Sequence, residues 1–119
     1  MGRKNPIAGV YRIRNITNGK IYFGESGNLS DRISHYRTVG RGRNIGNYPT
    51  KVEQAIINEG IENFCIATVV TELENPKIKD DMFRRDVEMR FIRRYNTTDP
   101  EIGYNTKEDN RYYNCGRKK

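Results

Sequence analysis

The sequence predicts a small α/β (α+β) domain, a three-stranded antiparallel sheet flanked by helices. Three observations carry that expectation. Residues 9–26 alternate in part between apolar and polar side chains about an Asn18-Gly19 turn; residues 64–70 form a second β-rich run; three further stretches repeat apolar residues at helical spacing. At 119 residues and 34% hydrophobic content, the chain supports one compact core and one domain.

Residues 1–8 read as a basic, flexible lead. In Gly9–Asn15, Val10, Tyr11 and Ile13 stand against Arg12 and Arg14, a strand pattern. Thr17-Asn18-Gly19-Lys20 is a hairpin turn, because Asn-Gly readily adopts the positive φ that a tight turn needs. Lys20–Ser26 is the return strand, rich in Ile21, Tyr22 and Phe23. Gly24 sits where that strand runs out; it either lets the chain bend or lets a ligand approach the backbone closely.

A helix starts near Asn28 or Ser30, both good caps, and runs through Leu29, Arg32, Ile33 and Tyr36 to Gly40. Leu29, Ile33 and Tyr36 share one face. Arg32 lies at the border of that face, within reach of the hairpin, and Tyr36 is its neighbour one turn on. Gly40–Asn47 is a glycine-rich basic loop without the spacing of a nucleotide-binding P-loop. A second helix begins at Pro49-Thr50, carries Val52, Ala55 and Ile56 on its apolar face, and ends at Gly60. Phe64–Val70 is expected to be the central strand. A polar loop, Glu72–Lys79, leads to a third helix over Asp80–Tyr95. There Phe83, Val87 and Phe91 step by four as a core stripe, continued by Ile92 and Tyr95. Asp80 and Asp81 at its start and Arg93 and Arg94 at its end suit the helix dipole. An irregular segment with Gly103-Tyr104-Asn105 follows, then a basic tail over 106–119.

Charged residues make up 31% of the chain and leave a net charge of +7, which points to a polyanion, most simply nucleic acid; an inert basic surface is the plainer alternative. No apolar run is long enough to span a membrane, and no apolar stretch follows the basic N-terminus as a secretory signal would require. Cys65 lies in an apolar run and reads as a reduced core residue; Cys115 lies in the polar tail. Two distant cysteines and one histidine do not make a zinc site, and they fit a reducing cytoplasm.

One constellation stands out. Gly9-Val10-Tyr11 and Tyr22-Phe23-Gly24 put two tyrosines on a hairpin, and Arg32 follows Tyr22 by ten residues. Glu88 follows Val87 on the third helix, before Phe91-Ile92, and Asn105 closes the order. This arrangement resembles the GIY-YIG nuclease superfamily over roughly residues 9–105, with Val10 and Phe23 in place of the two isoleucines.

The resemblance implies a metal-dependent DNA endonuclease that hydrolyses phosphodiester bonds. Glu88 would bind one divalent metal, Mg²⁺ or Mn²⁺; read without the family, it would pair with Arg84 or Arg85 as a solvated helix carboxylate. Arg32 would hold the scissile phosphate through its planar fork. Tyr11 and Tyr22 would activate and place the attacking water; which of them is the base stays open, with Tyr11 the favoured choice. A free phenol titrates near 10, so a nearby metal and Arg32 are expected to lower that value. Packing of the hairpin is the plainer use of both rings. Tyr36 occupies a place where the family shows histidine or tyrosine; His35, about 100° round the helix, is expected to be exposed and stays open as an alternative base. Asn105 would prop the site. Arg41, Arg43 and Gly24 would contact DNA. Glu25 stands where some members place a lysine, and its charge suits a phosphate site only if turned away.

One site and one metal cut one strand at a time, so a double-strand break needs a homodimer or two successive events. No added DNA-binding domain is seen, which by analogy suggests low sequence specificity or a specificity-giving partner. The rival reading is a non-catalytic DNA- or RNA-binding module, and a third is a regulatory protein that kept only the fold.

Overall fold

A computed structural model describes residues 6–43 and 45–106. Most of the expected lead, Asn44 of the basic loop, and the tail from 107 onward with Cys115 lie outside the described residues. The chain forms strand β1 (Gly9–Asn15), strand β2 (Ile21–Ser26), helix α1 (Leu29–Gly40), helix α2 (Lys51–Glu59), strand β3 (Phe64–Thr71) and helix α3 (Asp81–Tyr95). One-turn 3₁₀ segments, Ile61–Asn63 and Pro76–Lys79, precede β3 and α3.

The three strands are antiparallel in the order β2-β1-β3. β1 is therefore central, and Phe64–Thr71 is an edge strand rather than the centre expected from its apolar content. Hydrophobicity marks the strand but not its place, because β3 buries only its two ends well: Phe64 and Thr71 are buried, while Cys65 and Thr68 are exposed. Cys65 is accordingly an exposed free thiol and not a core residue.

The β1–β2 turn forms as the Asn-Gly pair dictates. Gly19 takes φ 78°, its amide donates to the Asn15 carbonyl at 2.7 Å, and the Lys20 amide donates to Asn18 Oδ1 at 2.9 Å. Tyr11 pairs across from Gly24, and Ile13 from Tyr22, so these residues share one face of the hairpin. That face holds the core: Tyr11 and Ile13 pack with Leu29 and Tyr36 of α1, Val52 and Ile56 of α2, and Phe64. Phe23 points the opposite way, stacking on Phe91 of α3 at 5.4 Å between ring centres and meeting Tyr95 in a tilted contact at 5.5 Å. Ala8 is buried and exchanges hydrogen bonds with Glu72, and the Ile7 carbonyl accepts from the Leu29 amide, so the expected free lead of 1–8 is already part of the fold at these two residues.

Caps set the helix starts. Asn28 Oδ1 accepts from the Asp31 amide, Thr50 and Glu53 form a reciprocal capping box, and Asp80 Oδ2 accepts from the Phe83 amide. The buried stripe of α3 is Arg84, Glu88 and Ile92. The expected stripe of Phe83, Val87 and Phe91 is only half-buried, and Tyr95 is 48% exposed. The helix is thus turned by one residue, roughly 100°, from what its apolar pattern implies. Two charged side chains occupy its inner face because partners exist for them there.

The free edge of β2 is covered by the chain after α3. Ile21 bridges Gly103, and Asn105 reaches Phe23, its Nδ2 donating to the Phe23 carbonyl at 2.9 Å and its Oδ1 accepting from the Phe23 amide at 3.0 Å. Thr97 Oγ1 donates a second bond to the same Oδ1 at 2.8 Å. Asn105 thereby acts as a missing strand for the residue between Tyr22 and Gly24. Asn105→Ala should lower stability by about 2 kcal/mol, since it leaves buried backbone groups unpaired; an unchanged denaturant midpoint would contradict this account.

Candidate active site

A cavity of about 280 Å³ opens where the tyrosine face of the hairpin meets the helices. Its walls are Tyr11, Tyr22 and Glu25 of the hairpin, Arg32 and Tyr36 of α1, Thr50 and Glu53 at the start of α2, and Arg85 and Glu88 of α3. The structure therefore brings Tyr11, Tyr22, Arg32, Tyr36 and Glu88 together in one place, from four elements spread over 78 positions of sequence.

Tyr11 is 1% exposed, and its hydroxyl lies 2.8 Å from that of Tyr36. Its ring centre is 5.9 Å from Tyr36 and 6.3 Å from Tyr22. The ring fits because Gly24 has no side chain: a Cβ at Gly24 would fall on the Tyr11 phenol. Gly24 is buried there, so the expectation that its bare backbone meets DNA is corrected; its open space belongs to Tyr11. Burial, then the neighbouring Tyr22 and Tyr36, hold the Tyr11 phenol well above its ordinary range, although Arg32 pulls it down. Tyr36 is also raised, by burial first, against the opposing bonds from Tyr11 and Tyr22 and the charge of Arg32. The expected net lowering by Arg32 is thus outweighed in the protein alone. Arg32 resists its own desolvation because three phenols and Glu25 surround it, and its guanidinium is held in the charged form.

Glu88 is 2% exposed, yet it reaches the cavity wall. Arg84 does not serve it. This guanidinium, itself 4% exposed, donates from Nε to Glu25 Oε1 at 2.7 Å, from Nη1 to the Ile78 and Lys79 carbonyls, and from Nη2 to Asp81 Oδ1 at 2.7 Å. Burial works against its charge, but the Glu25 and Asp81 bonds outweigh that and keep it ionised. Glu25 is therefore not turned away from the cavity; its charge is instead countered from behind. Glu53 is the third carboxylate of the wall. Burial pushes it up, but bonds from His35 Nε2, at 2.8 Å, and from Thr50 bring it net below its ordinary range.

Among the described residues no group of three or more His, Cys, Asp and Glu side chains is placed to cage a metal. The walls offer a different donor set. Glu88, buried at the cavity wall, would fit a single-carboxylate site completed by water and substrate oxygens, the habit of Mg²⁺.

The other expected site residues lie elsewhere. Asn105 is 4% exposed behind β2 and touches Phe23, not the cavity, so it supports the site instead of belonging to its wall. Arg41 and Arg43 are exposed after α1 and do not line the cavity. His35 is half-buried against Glu53, which corrects the expectation of an exposed ring. Sequence reading missed Arg84, Arg85, Thr50 and Glu53. The Thr50-x-x-Glu53 spacing is a capping-box signature that marks the α2 start, whereas nothing local ties Arg84 to Glu25, 59 positions away.

Gly24→Ala drives a methyl group into the Tyr11 ring. We expect a loss of about 2 kcal/mol of stability from overpacking and loss of any activity of the site, while Gly46→Ala, with open space around it, changes neither. A crystal structure of Gly24→Ala with an undisplaced Tyr11 would contradict this.

The family model described as GIY-YIG catalytic domain matches residues 7–97. No curated protein matches the chain. The fold is similar to two solved structures. One is the catalytic domain of the homing endonuclease I-TevI, at 23% identity and TM-score 0.59, over 85% of this chain and 99% of that one. The other is a glutamate-to-alanine mutant of the catalytic domain of intron endonuclease I-TevI, at 22% identity and TM-score 0.60, over 86% and 95%. At such identities the likeness establishes the fold, while the family match spans three quarters of the sequence. The chain belongs to the GIY-YIG family and is a nuclease catalytic domain.

Proposed function

We propose that this protein is a divalent-metal-dependent DNA endonuclease that hydrolyses one phosphodiester bond per site visit. The observation that carries the reading is the convergence of Arg32, Glu88 and three phenols on one cavity. Glu88 would hold the ion, Mg²⁺ or Mn²⁺, which when bound supplies positive charge to the phosphate oxygens. Arg32, permanently charged, grips the scissile phosphate through its fork and stabilises the added negative charge as water attacks in line. The phenol oxygens of Tyr11 and Tyr22 accept the hydrogen bond of that water and aim it. Removal of its proton requires a phenolate, and Arg32 is the neighbour that draws Tyr11 and Tyr36 toward ionisation against their burial. The Tyr11–Tyr36 hydroxyl pair lets a proton taken at one ring be shared with the other.

Gripping of the phosphate backbone by Arg41 and Arg43 would make affinity salt-sensitive. We take the catalytic unit to extend to Asn105, past the family match, because that side chain holds the backbone of Phe23 between Tyr22 and Gly24. No described helix is long and apolar enough to cross a membrane. The exposed Cys65 thiol fits a reducing, cytoplasmic setting.

A plain DNA- or RNA-binding module would share the basic surface but has no use for a buried carboxylate beside its phosphate grip. Supercoiled plasmid incubated with protein and Mg²⁺ separates the two. We expect nicked circles before linear product, abolition by EDTA, and losses on the order of 100-fold or more for Glu88→Ala and Arg32→Ala. No nicking with Mg²⁺ or Mn²⁺ would favour the binding module, and linear product appearing first would overturn cutting one strand at a time.

A further inference from the structure

Three carboxylates line the cavity, Glu25, Glu53 and Glu88. On the nuclease reading a phosphate sits among them, and each cation in the wall besides Arg32 and the ion at Glu88 lessens their repulsion of it. A second guanidinium is present. Arg85 of α3 lines the same cavity, its side chain is 42% exposed, and its Nε lies 3.7 Å from Glu25 Oε2.

The neighbouring Arg84 looks like a rival candidate but is not one. Its side chain is 5% exposed, and its fork is committed to Glu25, Asp81 and two backbone carbonyls. What it does is fix Glu25, whose side chain is only 10% exposed. One carboxylate then has its Oε1 bonded by Arg84 at 2.7 Å and its Oε2 3.7 Å from Arg85. The order Arg84–Glu25–Arg85 ties the end of β2, three residues past Tyr22, to the turn of α3 that precedes Glu88.

We propose that Arg85 is a second phosphate-binding residue of this site, contacting the same phosphate as Arg32, and that Glu25 and Arg84 are positioning residues that hold it over the cavity. This rests on the nuclease reading for its chemistry but not for its binding. The planar fork suits two phosphate oxygens at once, and a lysine of equal charge would not reproduce that. Glu25, which by itself would repel the substrate, becomes the arm that aims a cation at it.

The test has a binding arm and a cutting arm. In the binding arm, Glu88→Ala protein without divalent ion is titrated with a labelled DNA duplex across a salt series. Adding Arg85→Ala should make the slope of log affinity against log salt shallower by about 0.9, one phosphate contact, while Arg85→Lys keeps the slope. In the cutting arm, both Arg85→Ala and Arg85→Lys should slow nicking at saturating DNA on the order of 100-fold. Glu25→Gln, which keeps the Arg85 charge but weakens its hold, should slow nicking without making the slope shallower. An unchanged slope in Arg85→Ala, or an unchanged saturating rate in either Arg85 variant, overturns the phosphate contact. An unchanged rate in Glu25→Gln overturns the positioning role. If the unsubstituted protein nicks nothing, the nuclease reading fails on its own, and the slope still decides whether Arg85 touches phosphate.

Discussion

The seat of the Tyr11 ring against Gly24 is the constraint on which the site depends. A tyrosine ring removes on the order of 200 Å² from water, worth about 5 kcal/mol at about 25 cal/mol per Å². A buried hydroxyl left without a partner would take back about 1–3 kcal/mol. Tyr36 prevents that loss by meeting the hydroxyl at 2.8 Å. The same bond fixes α1 relative to the hairpin, and with α1 it fixes Arg32, one turn before Tyr36. Gly24, Tyr11, Tyr36 and Arg32 therefore form one mechanical unit. Asn105 clamps its outer side by holding Phe23, the residue between Tyr22 and Gly24.

Charge is arranged around that unit with unusual depth for so small a domain. Arg84 and Glu88 occupy the inner stripe of α3, where an apolar pair would have packed at lower risk. A buried ion pair adds little net stability once desolvation is counted, and a hydrophobic replacement is often neutral. Its benefit here is geometric. The Arg84–Glu25 bond joins α3 to the end of β2, so the turn of α3 bearing Glu88 is held at a set distance from the tyrosine strand. Glu25 and Glu53 are each tied to a basic side chain at 2.7–2.8 Å, and all three wall carboxylates line the cavity with the phenols, Arg32 and Arg85.

Much of the fold was legible in the sequence, for reasons that can be named. Asn18-Gly19 dictates its own turn, Asn28 and Asp80 cap helices through local bonds, and the Tyr11–Tyr22–Arg32 spacing needs no long-range information. What could not be read depends on distant partners. The apolar pattern of α3 points to Phe83, Val87 and Phe91, and it fails by one residue because Glu25 and the cavity draw Arg84 and Glu88 inward. The strength of β3 as a strand says nothing of its place at the edge. Gly24 reads equally as a bend or an open backbone; only the pairing of Tyr11 across from it shows that the space is filled.

The account stands on Glu88 holding its ion beside the hairpin tyrosines. Paramagnetic broadening by Mn²⁺ in a two-dimensional NMR spectrum of the protein tests this most directly, because it reports proximity without requiring turnover. The signals of Tyr22, Arg32 and Glu88 should broaden first, and Glu88→Gln should abolish the effect. Broadening centred instead on the exposed acids at the start of α3, or broadening at the tyrosines that survives Glu88→Gln, would contradict it.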